Sequence, residues 1–306
     1  VSRKIQIVEV GARDGLQNEK TLLEPHERVE LIRRLDSAGA VRQEVVSFVN
    51  PKRVPQMAGA EAILAQLGAN QGLSRIGVVL NGRGWDRARE SGCDEANVVV
   101  CATDGFGIRN QGASVEEQVQ ALANIVEARQ TTGGPKITMT VSVAFGCPFD
   151  GEVSQDQVVA ICRTAATLGV DEIALGDTIG VADPWRVRKM VEAVLSQIGT
   201  TPLRLHFHDT RNTGLSNAFA GVEAGVSILD ASVGGLGGCP FAPKATGNIG
   251  TEDLVYMLER GGFDTGLDMS ILLQTADWIA KKLGKAPASS LTRAGPFPAP
   301  AAPSSL

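Results

Sequence analysis

Histidine is nearly missing from this chain, with three among 306 residues. Aromatic residues make up 4%, including a single tyrosine, so stacking platforms for unpaired bases are scarce. Positive charge is not in excess either. The net charge of -5 gives no general attraction to nucleic acid or to an anionic membrane surface. No apolar run approaches the roughly 20 residues a membrane helix needs. The five cysteines (Cys93, Cys101, Cys147, Cys162 and Cys239) are odd in number and lack a CxxC pair. That pattern fits reduced thiols in a cytoplasmic compartment better than a disulfide framework. The first residues, VSRKIQIVEV, show no long apolar run before a small-residue cleavage site, so no targeting segment is expected. What is present, 43% hydrophobic and 21% charged residues, suits a globule with a sizeable core. Length alone does not choose between one large domain and two small ones.

Short β-type runs alternate with helix-length segments. The runs cover 5–10, 42–48, 75–80, 96–102, 136–143, 172–175, 204–208 and 228–233. Amphipathic stretches lie between them. In DQVVAICRTAATLG, Val158, Val159, Ile161, Cys162 and Ala165 make an apolar stripe at helical spacing. Eight strands, each followed by a helix-compatible segment, predict an α/β fold of the (β/α)₈ TIM-barrel type. A doubly wound open sheet is the alternative, and its dinucleotide-binding version lacks a GxGxxG after the first strand. Two further helices are expected near 251–262 and 268–284, giving a catalytic barrel over 1–285. The Pro-, Ala- and Ser-rich tail 286–306 is expected to be disordered.

Chemistry in such a barrel gathers at the C-terminal ends of its strands. Two of the three histidines fall there, in RLHFHDTRNTGL. Alternation puts His206 and His208 on one face and turns Leu205 and Phe207 toward the helices. Two structural histidines at a strand end are the plain alternative. Asp14 sits at the corresponding end of strand one, and Asn248 follows strand eight. Two imidazoles, a carboxylate and an amide oxygen suit a divalent metal, Mg²⁺ or Mn²⁺ first and Zn²⁺ or Co²⁺ next. With Asp14 the one anion, the loaded site would carry about +1 and favour an anionic, chelating hydroxy-carboxylate. Arg13 beside Asp14 is either a surface ion pair or an oxyanion stabiliser. Gln17 follows strand one, Glu44 and Ser47 lie on strand two, and Asp177 and Thr178 follow strand six. The run GGLGGC has four glycines in six residues, as expected of a loop that closes over a ligand. Cys101 and Cys162 read as small buried residues. Cys239, on the glycine loop, would have its pKa lowered by a nearby cation and Arg13, ready for proton transfer.

VEVGARDGLQNE, QEVVSFVNPKRVPQM, LGDTIGV, HFHDT and GGLGGCPFAPKATGNIGTEDLVYML resemble, in order, the signature segments of the 3-hydroxy-3-methylglutaryl-CoA (HMG-CoA) lyase family. The resemblance runs over roughly residues 5 to 285. It implies a barrel that cleaves HMG-CoA into acetyl-CoA and acetoacetate. It also implies Asp14, His206, His208 and Asn248 as metal ligands, Arg13 as the group that stabilises the enolate, and Cys239 as acid/base. Glu44 would support the arginine and the metal, with Gln17, Ser47, Asp177 and Thr178 as weaker candidates on the substrate side. Ala12, Arg53 and the pair Arg211–Asn212 stand where the family usually has proline, tryptophan and a Tyr-Gly pair. None of them removes a ligand, but they leave the acyl chain open. Arg53 and Arg211 read as solvated arginines in preference to CoA-phosphate contacts. The implied partner is an acyl-CoA substrate, with no nucleic acid and no membrane; a homo-oligomer suits the fold, though no surface stretch marks its interface. The competing readings are a Claisen-type condensing enzyme on the same barrel, a two-His-one-carboxylate Fe(II) oxygenase, and a metal- or CoA-binding barrel without catalysis.

Overall fold

Runs such as EANVVVC and KITMTVS are rich in β-branched residues and are buried on both faces, as a parallel sheet wrapped in helices requires. The computed structural model describes residues 3–69, 72–238 and 247–298. Its strands are β1 (Gln6–Glu9), β2 (Arg42–Ser47), β3 (Ser74–Val79), β4 (Glu95–Cys101), β5 (Lys136–Ser142), β6 (Glu172–Asp177), β7 (Leu203–Phe207) and β8 (Ile228–Ala231). All pairings between them are parallel, and β8 returns to β1 to close the barrel in sequence order. The expected (β/α)₈ architecture is the one observed.

The helices, in chain order, are α1 (Pro25–Ser37), α2 (Ala60–Leu67), α3 (Gly82–Glu90), α4 (Asp104–Asn110), α5 (Val115–Thr132), α6 (Gln155–Leu168), α7 (Pro184–Leu195), α8 (Gly214–Glu223), α9 (Thr251–Arg260), α10 (Met269–Leu283) and α11 (Leu291–Ala294). Their starts carry local signals. Ser114 and Glu117 form a reciprocal capping box on α5, and Asp183 caps α7 with Pro184 next to it. No helix among the described residues is long and apolar enough to cross a membrane.

The first part of the tail touches the barrel through residues 288–291. Ala288 and Ser289 donate their N–H groups to Gly234 O at 2.8 and 3.2 Å. The Asp253 carboxylate takes the N–H groups of Ser290 and Leu291 at 2.8 and 2.7 Å. Backbone groups are satisfied here by one carboxylate and one loop carbonyl, which no periodicity announces. Residues 299–306 lie outside the described part.

The main apolar core fills the space between strands and helices, and a second, small apolar group forms around Val8, Val10 and Ile76. Part of the lumen is ionic. Arg42 pairs with Glu95 (Nε to Oε1, 2.9 Å) and with Glu172 (Nη1 to Oε2, 2.7 Å). Arg204, with no exposed surface, lies 2.9 Å from Glu172 and 3.0 Å from Asp230. Charges alternate in this way from the N-terminal end of the barrel up to β8. Buried charges tolerate such a position only when paired.

Candidate active site

The C-terminal ends of the strands surround a cavity of about 580 Å³, lined by Arg13, Asp14, Gln17, Glu44, Ser47, Thr178, His206 and His208 among others. Strict alternation would put Glu44 and Ser47 on opposite faces of β2. They share the cavity because the β2–β3 register shifts between Glu44 and Val46, and the extra residue changes the phase of the strand. Arg13 and Asp14 come from a tight turn, Gly11–Gly15, closed by the Arg13 and Gly15 N–H groups on Val10 O, each at 3.1 Å.

Arg13 is no surface pair. Its Nε and Nη2 both reach Glu44 Oε1, and its Nη1 donates to Asp14 Oδ1 at 2.9 Å and to Gln17 Oε1 at 3.4 Å. Burial alone would lower the arginine pKa, but the charges of Glu44 and Asp14 outweigh it and raise it. Glu44 is fixed from its other side by Asn97 Nδ2 at 2.8 Å, and Asn97 is in turn held by the Thr140 hydroxyl at 2.7 Å. A guanidinium held on both sides and facing the cavity is suited to steady a developing oxyanion.

The His206 and His208 rings lie 5.1 Å apart, centre to centre, above Asp14. His206 Nε2 is 3.9 Å and His208 Nε2 3.6 Å from Asp14 Oδ2. One donor atom from each of these three residues falls within 4.8 Å of the other two. Burial works against ionisation of Asp14, yet Arg13 and the two imidazoles hold its carboxyl well below the usual range. His206 is shifted upward: burial opposes the charge, and the hydrogen bond to Asp230 with the Asp14 charge overcomes it.

Asn248 completes the group. Its Nδ2 donates to Asp14 Oδ2 and to Leu236 O, each at 2.9 Å, and its buried Oδ1 has no partner among the described residues. The buried Nδ1 of His208 is likewise unpartnered. A carboxylate, two imidazoles and an orphaned amide oxygen in one largely screened cluster fit a hard-to-borderline divalent cation. Gly237 presses against this amide. At φ +139° its backbone favours glycine, and a Cβ there would meet Asn248 Nδ2 at 2.6 Å. Cys239 lies outside the described residues. Gly238, just before it, lines the cavity and accepts Asn18 Nδ2 at 2.9 Å.

Two expectations change. Asp177 does not face the cavity. Gly176 and Thr178 do, so Asp177 points outward, where its two oxygens take the N–H groups of Val181 and Ala182 at 2.9 and 3.0 Å. It shapes the loop after β6. Thr178 keeps its place in the lining and accepts Val143 N at 2.8 Å, beside a φ of +52° at Val143 that β-branched residues rarely adopt. Arg211 is not simply solvated, since its Nη1 binds Ile179 O and Gly180 O at 2.9 and 2.7 Å. Asn212 sits at φ +58°, a conformation that asparagine tolerates where glycine is favoured.

Asp230 and Arg204 were missed. The signal was available: an acidic residue inside the apolar run ILDASV and an arginine two positions before His206. Neither belongs on a buried strand without a charged partner.

A closed parallel barrel with a candidate divalent-cation cluster beside an ion-paired guanidinium at the C-terminal ends of its strands defines a class of α/β-barrel enzymes. The chain belongs to the HMGL-like lyase family, whose model matches residues 4–279. That family depends on divalent metals, and the Asp14, His206 and His208 cluster is the candidate site here. The (R)-citramalyl-CoA lyase of Chloroflexus aurantiacus is 41% identical, covering 95% of each chain. The 3-hydroxy-3-isohexenylglutaryl-CoA/hydroxy-methylglutaryl-CoA lyase of Pseudomonas aeruginosa is 38% identical over 95% of this chain and 97% of its own. Among solved structures, an HMG-CoA lyase of A. baumannii in complex with coenzyme A and 3-methylmalate superposes with a TM-score of 0.92 at 37% identity, covering 96% of both chains.

Proposed function

We propose that this protein is a divalent-metal-dependent carbon–carbon lyase that cleaves HMG-CoA into acetyl-CoA and acetoacetate. The observation that carries the reading is the meeting of Arg13 with Asp14, His206 and His208 at one cavity, with Asn248 hydrogen-bonded to Asp14 behind it. Mg²⁺ or Mn²⁺ bound there would hold the substrate's hydroxyl and carboxylate oxygens and make the hydroxyl more acidic.

The chain's own residues divide the remaining work. The C3 hydroxyl loses its proton to a basic group at the site. The C2–C3 bonding pair then moves to C2 as the C3–O bond becomes a ketone. Arg13, locked by Glu44, donates to the thioester oxygen and stabilises the enolate of acetyl-CoA. Cys239 delivers the proton that turns this carbanionic carbon into the acetyl methyl group. Thr178, Ser47 and Gln17 sit on the walls that orient the acyl portion.

A second reading rests on the citramalyl-CoA lyase relative. Its named substrate carries one methylene fewer between the hydroxyl-bearing carbon and the carboxylate, and cleavage of the equivalent bond leaves pyruvate. One experiment separates the two readings. Metal-stripped protein is supplied with Mg²⁺ or Mn²⁺ and offered HMG-CoA and (R)-citramalyl-CoA in separate reactions. Metal-dependent release of acetoacetate from the first supports the main reading. Pyruvate from the second alone moves the assignment to the shorter acyl chain, and no product from either overturns the lyase proposal.

A further inference from the structure

We propose that Asp230 is a positioning residue that orients His206 toward the divalent cation, with the buried Arg42, Glu95, Glu172 and Arg204 ladder as its fixed support. This rests on reading Asp14, His206 and His208 as the cation site. Asp230 Oδ2 lies 3.1 Å from His206 Nδ1, and its other oxygen lies 3.0 Å from Arg204 Nη1. A carboxylate engaged at both oxygens has no freedom to turn. An ionised carboxylate only accepts, so His206 Nδ1 carries the proton and Nε2 keeps its lone pair on the side of Asp14. That is the form in which an imidazole binds a metal, and a carboxylate behind the ring makes it a stronger donor. His208 has no such partner, because its Nδ1 is unpaired among the described residues. The two histidines are therefore unequal, and Asp230 governs one of them.

The charge pattern points the same way. Across the ladder and the site, five carboxylates (Asp14, Glu44, Glu95, Glu172 and Asp230) face the three guanidiniums of Arg13, Arg42 and Arg204. Acids outnumber guanidiniums among these groups, and a bound cation would offset that excess. Arg204 is what makes a second acid beside the histidines tolerable, since it pairs with Asp230 and ties it down to Glu172.

The test uses the whole chain, stripped of metal, with Mn²⁺ as the probe and free Mn²⁺ read by EPR, beside thermal unfolding of each variant. Asp230→Asn keeps the shape and removes the charge. It should weaken Mn²⁺ binding about 10- to 100-fold while the protein stays folded. A structural role alone would lower the unfolding temperature and leave Mn²⁺ affinity unmoved. If an unpaired Arg204 unfolds the single variant, Arg204→Met combined with Asp230→Asn removes both charges, and the same loss of affinity is expected. A loss smaller than about 10-fold in a folded variant overturns the proposal. His206→Ala with His208→Ala serves as the reference. If that pair leaves Mn²⁺ affinity intact, the cation-site reading itself fails; if it abolishes binding while Asp230→Asn does not weaken it, only the positioning role falls.

Discussion

Asn248 donates its side-chain amide to Asp14 Oδ2 at 2.9 Å, joining the two ends of the barrel across 234 positions of sequence. The contact exists because β8 pairs with β1, which brings the segment after β8 beside the turn after β1. An isolated bridge between His208 and Asn248 adds the end of β7 to the same cluster.

Asp14 is the residue common to the guanidinium and the imidazoles, so its neutralisation should be the most damaging single change. Asp14→Asn is expected to weaken Mn²⁺ binding more than about 100-fold, beyond the effect of an outer partner. Calorimetric titration of the metal-stripped variant checks this, and an affinity equal to the parent's would remove Asp14 from the ligand set.

Cys239 follows the cavity-lining Gly238 and is assigned proton delivery, not cation binding. Cys239→Ser should therefore lower turnover by about 10² to 10⁴-fold with Mn²⁺ affinity retained. Product release and Mn²⁺ titration are measured on the same preparation. Equal turnover in the two proteins would take the proton-transfer role away from Cys239.

Two buried carboxyls beneath the glycine loop predict a pH effect on stability. Glu9 takes the N–H groups of Gly11 and Val233 and the Thr251 hydroxyl, while Glu252 takes the N–H of Gly234. Burial pushes Glu9 up to about 7 and Glu252 up to about 8, against an ordinary value of 4.5. The folded state therefore keeps protons that the unfolded chain has released. Stability falls as pH rises from 4.5 through the folded values and levels off above about 8 as far as these groups are concerned. Glu252→Gln fixes the neutral form and keeps an oxygen for Gly234 N. Denaturant unfolding should show the variant more stable than its parent at pH 8.5 and alike at pH 4.5. Parallel curves at both values would mean that Glu252 is not protonated in the fold.

Arg28 has no carboxylate partner among the described residues. It is 2% exposed, and burial lowers its pKa to about 10. Its guanidinium donates instead to the carbonyls of Gln56, Ala58, Ala12 and Val45, tying the turn that carries Arg13 to β2 and the loop beyond it. Arg28→Met should cost about 3 kcal/mol, the scale of losing several charge-assisted hydrogen bonds to buried carbonyls. It should also reduce kcat more than Mn²⁺ affinity, because Arg13 loses its backing while His206 keeps Asp230. Chemical denaturation and steady-state kinetics decide, and a change under about 1 kcal/mol would show those carbonyls satisfied by other means.

The sequence by itself determined the strand count, the parallel order and the faces of β7. Each depends on local periodicity: two-residue alternation gives His206 and His208 one side, and helical spacing places the apolar stripes that cover the barrel. It also offered Asp14, His206, His208 and Asn248 as candidate donors, on residue type and position at the strand ends. Tertiary structure alone decided four things. The shared face of Glu44 and Ser47 depends on a register shift between β2 and β3, a property of two strands together. The outward turn of Asp177 depends on where β6 ends. The holding of residues 288–291 depends on a distant carboxylate and carbonyl, Asp253 and Gly234. The Asp230 and Arg204 partnership depends on barrel closure, since a charge on a strand is intelligible only when the strand facing it is known. Alternation and helical spacing are written along the chain; pairing between charges far apart in it is created when the strands meet.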